Sequence, residues 1–538
     1  MSKTSLAKRS LIVGAFVGTG GMFVAKLIGL LYSIPLSYIL SSSSYMAIYG
    51  SSYNIYAYFL TIFQSGIPFA VATLVARYMT QENYKSVLLV KKMSMIILAF
   101  TGFVGMMILF LISDWIAPLM IGKNVTIMAN ALKILSLAVF LVPVLASFRG
   151  YYQGLKEMEE YAFSQTFEQI FRVGFLLAGA SLVVYLFGME QKWALYIAVF
   201  STTVATVAAI IQFARFDKKH NVDVILQAKE QGIPVHSTNH IFHEIIQLAI
   251  PFFVVAVLGN IDQIFHSILM PLGLNLHGYS KEQEDVIIGA VTFVGSKLVA
   301  IPAILGPGFA TAIIPHITAA LTNKDYRLVR KNVMDCLNIV MYIALPISFC
   351  IFAFAGPICN TLFYTSDLAT STMVTQWIAV DSFLSTISPL IMNLMLTLEL
   401  RRPAMRYLLI GTIIKGFCVP ILTMWMGYPG VVISFVIGTL ITDIYSLKAI
   451  SETYQISYRT SGILLVRMGM GLLALWFTNI LLTNIGLNGL VGGKAICFVK
   501  MACNGVLSLI VYGAVTYLFH VPQSIFHFKS AKKAVKRG

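Results

Sequence analysis

Apolar runs of about twenty residues or more recur along the whole chain, separated by short polar loops. The stretch 93–113 (MSMIILAFTGFVGMMILFLIS) carries no charge at all. About 20 apolar residues in a helix cross the hydrocarbon core of a bilayer, whereas a barrel strand needs only about ten. In lipid every backbone N–H and C=O must be satisfied within the protein, so runs of this length can only be helices. The fold class is therefore an all-α polytopic membrane protein. About fourteen spans are expected, near 11–40, 46–76, 93–113, 127–148, 161–187, 193–214, 243–271, 286–320, 333–358, 371–398, 404–426, 430–450, 462–483 and 495–519. Composition agrees: 58% of residues are hydrophobic, only 11% are charged, and the mean hydropathy is +0.82. A soluble domain carries about a quarter charged residues.

The chain holds 38 Lys and Arg against 22 Asp and Glu. These cations punctuate the apolar runs instead of forming one patch, which argues against nucleic acid and for membrane topology. If the N-terminus is cytoplasmic, the same side receives Lys3, Lys8 and Arg9, then Arg77, Lys85, Lys91 and Lys92. It also receives Lys218, Lys219, Arg327, Arg330, Lys331, Arg401, Arg402 and the tail Lys529 to Arg537. The opposite side receives Lys123, Lys192, Lys281 and Lys494. Both termini are thus expected in the cytoplasm, with an even number of spans. The start Met1 to Arg9 followed by a long apolar run reads as a retained first span. The six cysteines form no Cys-x-x-Cys pair and read as small buried apolar residues.

The chain is internally duplicated. Gly66 to Tyr84 repeats in Gly308 to Tyr326, and Ser136 to Met158 repeats in Ser382 to Ala404. Copies separated by six spans share an orientation, so two lobes related by an axis along the membrane normal are expected, with a site near the midplane. The expected organisation is a six-helix lobe over 1–216, a cytoplasmic linker over 217–240 and a second six-helix lobe over 241–452. Helices thirteen and fourteen follow over 453–520, and a basic cytoplasmic tail over 521–538. Prolines inside spans, among them Pro35, Pro68, Pro143, Pro251, Pro302 and Pro389, suit helices that bend.

A charge inside a span costs about 3 kcal/mol on insertion scales, so it faces a partner or a polar interior. Lys26 lies mid-span in the first run, and Lys297 lies within the run from Val294 to Ala320. Both read as cations for an anionic substrate. The competing role is an ion pair, Asp262 being the obvious partner for Lys297. Arg172 sits four residues after Glu168, on one helix face, where the two can pair. Lys415 and Asp443 can pair likewise. Asp381 has no evident sequence partner and can bind a coupling cation or line a cavity. Asp262, Asp381 and Asp443 are the candidate ion-coupling or cavity acids. The cluster His236, His240, His243 and Glu244 fits no zinc spacing, so no metal is expected. No phosphate-binding loop, His-Glu-x-x-His or Gly-x-Ser-x-Gly motif is present, so the chain reads as a transporter and not as an enzyme.

Three stretches carry a family resemblance: Tyr49 to Tyr56 continuing through Gln64-Ser65-Gly66-Ile67-Pro68, Phe148 to Gly154, and Lys297 to His316. Over nearly its whole length the chain resembles the flippases of the MOP superfamily, in the polysaccharide-exporter branch. The resemblance implies a substrate such as lipid II or another undecaprenyl-diphosphate-linked saccharide, moved by alternating access for peptidoglycan synthesis. It also implies two six-helix lobes around a cationic cavity, a groove for the lipid tail on the last two helices, and a bacterial cytoplasmic membrane location. Lys26 and Lys297 match cavity cations of the family's first and eighth helices. Where the family has further arginines, this chain has Tyr32 and the run Tyr58-Phe59-Leu60-Thr61, so a less basic cavity is expected. Arg172 and Asn54 complete the expected substrate-binding set. No cofactor is expected beyond coupling to membrane potential or a monovalent cation. The partners expected are the bilayer, the lipid-linked glycan and a cell-wall synthesis complex. Three other readings compete: a teichoic acid or exopolysaccharide precursor flippase, a cation-coupled multidrug exporter, and a non-transporting scaffold for wall synthesis.

Overall fold

The computed structural model describes residues 28–232, 236–303, 316–318 and 320–526. Its described residues are helical, with no strand among them. Among the described residues thirteen helices are long and apolar enough to cross a membrane, from Ser43–Thr80 to Lys494–Leu518. They correspond to the expected second to fourteenth spans. The described end of the first span is the apolar helix Ile28–Leu40. The chain divides into two compact units, 1–271 and 272–538.

In the first unit the second span is two helices, Ser43–Gln64 and Ile67–Thr80. The break falls at Gly66, whose φ is +82°. Pro68 then occupies the first turn of the new helix, where its missing N–H costs no intrahelical bond. Gly66 also lies against helix Thr238–Asn260, where an added Cβ would be 2.4 Å from the Ala249 carbonyl oxygen. Close approach of this kind is how helices associate in lipid, where packing and not water exclusion holds them. Leu74, Val75, Leu98, Leu145, Tyr151, Ile241 and Ile245 form one buried cluster there. The helix 238–260, expected at the start of the second lobe, thus packs within the first unit.

The segment expected as a linker is largely helical. Helix Gln191–His220 runs through its first residues and a short helix, Val222–Glu230, follows. Tyr151 Oη donates to Asn221 Oδ1 (2.6 Å), and Tyr152 Oη donates to Asp217 Oδ1 (2.6 Å), which also pairs with Lys91. Gln231 is held from both ends. Its Nε2 donates to Asn83 Oδ1 (2.9 Å), its Oε1 accepts from the Lys85 N–H (2.9 Å), and its carbonyl accepts from Lys85 Nζ (3.0 Å).

The second unit has the same helix order. Helix Tyr326–Ala353 corresponds to Tyr84–Met120, Leu368–Thr397 to Val125–Gly154, and the pair Arg401–Met426 and Tyr428–Tyr454 to Met158–Ser181 and Gln191–His220. Internal prolines fall at Pro143 and Pro389 of the corresponding helices. Of the added pair, Arg459–Asn484 and Lys494–Leu518, the first helix packs Leu464 and Met468 with Val521 and Ile525 of the short helix Val521–Phe526 against Ile339, Tyr342 and Leu345. Tyr342 Oη and Thr516 Oγ1 are hydrogen-bonded at 3.1 Å. All six cysteines are free thiols.

Candidate functional site

Arg172 lies in the helix 158–181, at mid-span and half-buried. The expected pairing with Glu168 does not form. Glu168 Oε2 instead accepts from Arg149 Nη2 at 2.6 Å, and Arg149 also donates to Ser164 Oγ at 3.2 Å. Arg149 comes from the neighbouring helix 125–154 and takes the carboxylate that helix periodicity offered to Arg172. The Arg172 guanidinium rests instead on aromatic faces, its Cζ 5.3 Å from the Tyr32 ring centre and 6.0 Å from that of Tyr53. Tyr32 and Tyr49 share a hydroxyl hydrogen bond of 2.9 Å, the Tyr49 and Tyr53 rings are 4.6 Å apart, and the Tyr53 hydroxyl bonds Thr202. Among the described residues Arg172 forms no ion pair, and both Arg172 Nε and the nearby Gln169 Nε2 are buried without a hydrogen-bond partner. The site therefore offers N–H donors and a cation against a tyrosine wall. Asn54 follows Tyr53 on the same helix, half-buried and without a side-chain hydrogen bond among the described residues.

The tyrosine wall is the part that sequence reasoning missed. Its signal was present, because Tyr49, Tyr53 and Tyr56 recur at helical spacing and so share one face.

In the second unit Lys297 sits in the first turn of helix Ser296–Ala303, directly after a π-helical turn, Ala290–Gly295. Such turns shift the face that later residues present and recur at functional sites. The turn packs so closely on helix 368–397 that a Cβ on Gly295 would be 2.4 Å from Ile378 Cδ1. Asp381 follows one turn after Ile378, and its Oδ2 accepts from Ser385 Oγ at 3.4 Å. Asp443 is buried in helix 428–454, and its Oδ1 accepts from Ser388 Oγ at 2.8 Å. Lys415 Nζ lies 5.3 Å from the Phe435 ring centre. Asp262 belongs to the first unit and Lys297 to the second. Lys26 lies outside the described residues.

An apolar cleft of about 440 Å³ opens between helices 326–353, 368–397 and 428–454, with Leu472 of helix 459–484 on its wall. Phe349, Phe352, Val380 and Phe383 line it, and Ser348 is its one polar residue. Among the described residues no group of three or more His, Cys, Asp or Glu could hold a metal ion. Glu244 of the histidine cluster is bound by Arg77 (2.9 Å) and by the Tyr78 hydroxyl.

Two units of like helix order, built from spans that carry half-buried cations and the buried Asp443, define a polytopic membrane protein of transporter type. The chain belongs to the polysaccharide biosynthesis protein family, whose model matches residues 11–321. It is 24% identical over 460 residues to the lipid II flippase MurJ of Bacillus subtilis (strain 168), covering 84% of each chain. It is 21% identical over 465 residues to the stage V sporulation protein B of the same organism, covering 84% of this chain and 86% of that one. Among solved structures, an inward closed lipid II flippase MurJ superposes with a TM-score of 0.63 at 14% identity, over 94% of this chain and 99% of that one. An inward-facing multidrug resistance MATE family transporter of the MOP superfamily also gives 0.63 at 14% identity, over 80% and 96%. The fold is that of these solved MOP superfamily proteins, a multidrug resistance transporter and a lipid II flippase.

Proposed function

We propose that the protein is a flippase for an undecaprenyl-diphosphate-linked saccharide, lipid II first among them, in the bacterial cytoplasmic membrane with both termini in the cytoplasm. The observation that carries this reading is Arg172: a cation within a span, walled by tyrosines and unpaired among the described residues. A guanidinium so placed favours an anionic substrate. Each charged hydrogen bond to a phosphate oxygen is worth about 1.5–3 kcal/mol, and arginine presents a planar fork to it. Asn54, beside Tyr53, adds a hydrogen-bonding group, and Lys26 and Lys297 are the cations that the family resemblance implies. The cleft beside Leu472 offers apolar surface for a prenyl chain.

The test is a depletion strain complemented with Arg172→Gln or Arg172→Lys. The glutamine variant is expected to accumulate the undecaprenyl-linked precursor on the cytosolic side at normal protein level, and lysine to rescue part of the activity. Normal growth with glutamine would refute the assignment.

A second reading, cation-coupled drug export, is favoured by the buried Asp443 and its bond from Ser388. It predicts that Asp443→Asn abolishes drug resistance conferred by the protein without precursor accumulation.

A further inference from the structure

The two units differ at the end where Lys85 and Lys91 open one helix and Arg327 and Arg330 open its counterpart. Tyr84 and Tyr326 stand at equivalent positions, each preceded by a side chain that caps its helix: Asn83 Oδ1 accepts the Ser86 N–H, and Asp325 Oδ1 accepts the Leu328 N–H. In the first unit this end is covered by the chain itself. The short helix 222–230 buries Val224 and Ala228 there, and Gln231 gives its carbonyl to Lys85 Nζ. In the second unit the chain turns at Gln455, φ +54°, and enters helix 459–484 almost at once. Nothing corresponding to Val222–Gln231 follows. A cavity of about 730 Å³ lies between the start of helix 326–353 and the turns after 368–397 and 428–454.

Its lining is the reverse of a membrane groove. Lys324 and Arg330 contribute two cations, with Glu399 as the one acid, while the hydroxyls of Thr322, Thr397 and Thr453 donate to the carbonyls of Thr318, Asn393 and Ala449. Among the described residues neither Lys324 nor Arg330 forms an ion pair, with Glu399 or with any other acid. Arg327, Lys331, Arg401 and Arg402 follow close by in sequence and keep the local field positive. In the first unit the oxygen acceptor for the lysine at this end is a peptide carbonyl. In the second unit neither Lys324 Nζ nor the Arg330 guanidinium has one among the described residues.

We propose that this cavity binds a phosphate group, carried either by a soluble metabolite or by an anionic lipid headgroup, at a site separate from Arg172 and Lys297. Two cations on one cavity wall suit the oxygens of a phosphate, which lysine meets as a point charge and arginine as a fork. The volume lies in the ordinary range for small-molecule sites, about 300–1,000 Å³. The basic end of a membrane bundle also meets anionic headgroups. The proposal does not rest on the transport reading.

The test uses the purified full chain. Binding of pyrophosphate is measured in neutral detergent, and binding of phosphatidylglycerol is measured in nanodiscs against a phosphatidylcholine background. The variant is Lys324→Asn with Arg330→Gln; asparagine is chosen because position 324 has φ +57°, which asparagine tolerates. Arg330→Gln alone serves if the double variant misfolds, and Lys218→Gln with Lys219→Gln removes two cations elsewhere as a control. The wild type and the control are expected to bind at least one probe, and the cavity variant at least tenfold more weakly. Binding of pyrophosphate assigns a soluble source, and binding of phosphatidylglycerol alone a headgroup; either supports the site. If neither probe binds the wild type, or the control loses as much as the cavity variant, the proposal is wrong.

Discussion

Arg149 and Arg172 lie on neighbouring helices and face the same carboxylate in sequence terms, yet their removal should have opposite effects on stability. Arg149 Nη2 holds Glu168 at 2.6 Å, with side chains only 15% and 20% exposed. Arg149→Met would leave that carboxylate largely desolvated and without its cation. Breaking a buried pair from one side costs about 3–5 kcal/mol; the low end applies because a fifth of Glu168 remains exposed. Arg172 is the reverse case. Placing its charge in a span costs about 3 kcal/mol, and two ring contacts return about 0.5–1 kcal/mol each. A deficit of about 1–2 kcal/mol remains, and Arg172→Met removes it. The assay is thermal unfolding of both purified variants in one detergent, beside a transport readout. At about 2 °C per kcal/mol for a unit of this size, Arg149→Met should melt about 6 °C lower, and Arg172→Met unchanged or about 2–4 °C higher while inactive in transport. If Arg172→Met melts as low as Arg149→Met, Arg172 is a structural cation and the substrate assignment built on it fails.

Gly66→Ala should destabilise the first unit by at least about 1–2 kcal/mol, the cost of a left-handed residue. Its Cβ would also meet the Ala249 carbonyl at 2.4 Å; a melting temperature equal to wild type would mean that the 238–260 helix yields freely. Lys297→Ala is expected to abolish flipping with folded protein in the membrane, and Lys297→Arg to retain part of it, read by growth of a depletion strain at matched expression. Single cysteines in the loop 485–493 should label from outside intact cells and those in 217–230 should not; the opposite pattern would invert the topology. Asp381→Asn and Asp443→Asn are expected to alter the dependence of transport on an imposed ion gradient, and identical gradient profiles would remove both acids from coupling.

The spans were legible because lipid leaves a chain few choices, and the apolar runs set the helices. Helix breaks were legible only where chemistry marks them, as at Gly66-Ile67-Pro68. The π-helical turn before Lys297 carries no such mark, since its cause is packing of Gly295 on Ile378, far away in sequence. Partner choice was the least legible part. Periodicity on one helix placed Glu168 beside Arg172, and tertiary packing gave it to Arg149. Asp443 accepts a hydrogen bond from Ser388 of another helix, a partner that its own sequence neighbourhood does not name. A single sequence reports which groups share a helix face, not which groups a second helix brings to that face. At 158–181 that second helix supplied a better-placed guanidinium and so left Arg172 to the tyrosines. That Arg172 forms no ion pair among the described residues is therefore a product of packing. It follows that the variant which separates structure from transport is one that changes Arg172 and keeps the Arg149–Glu168 pair intact.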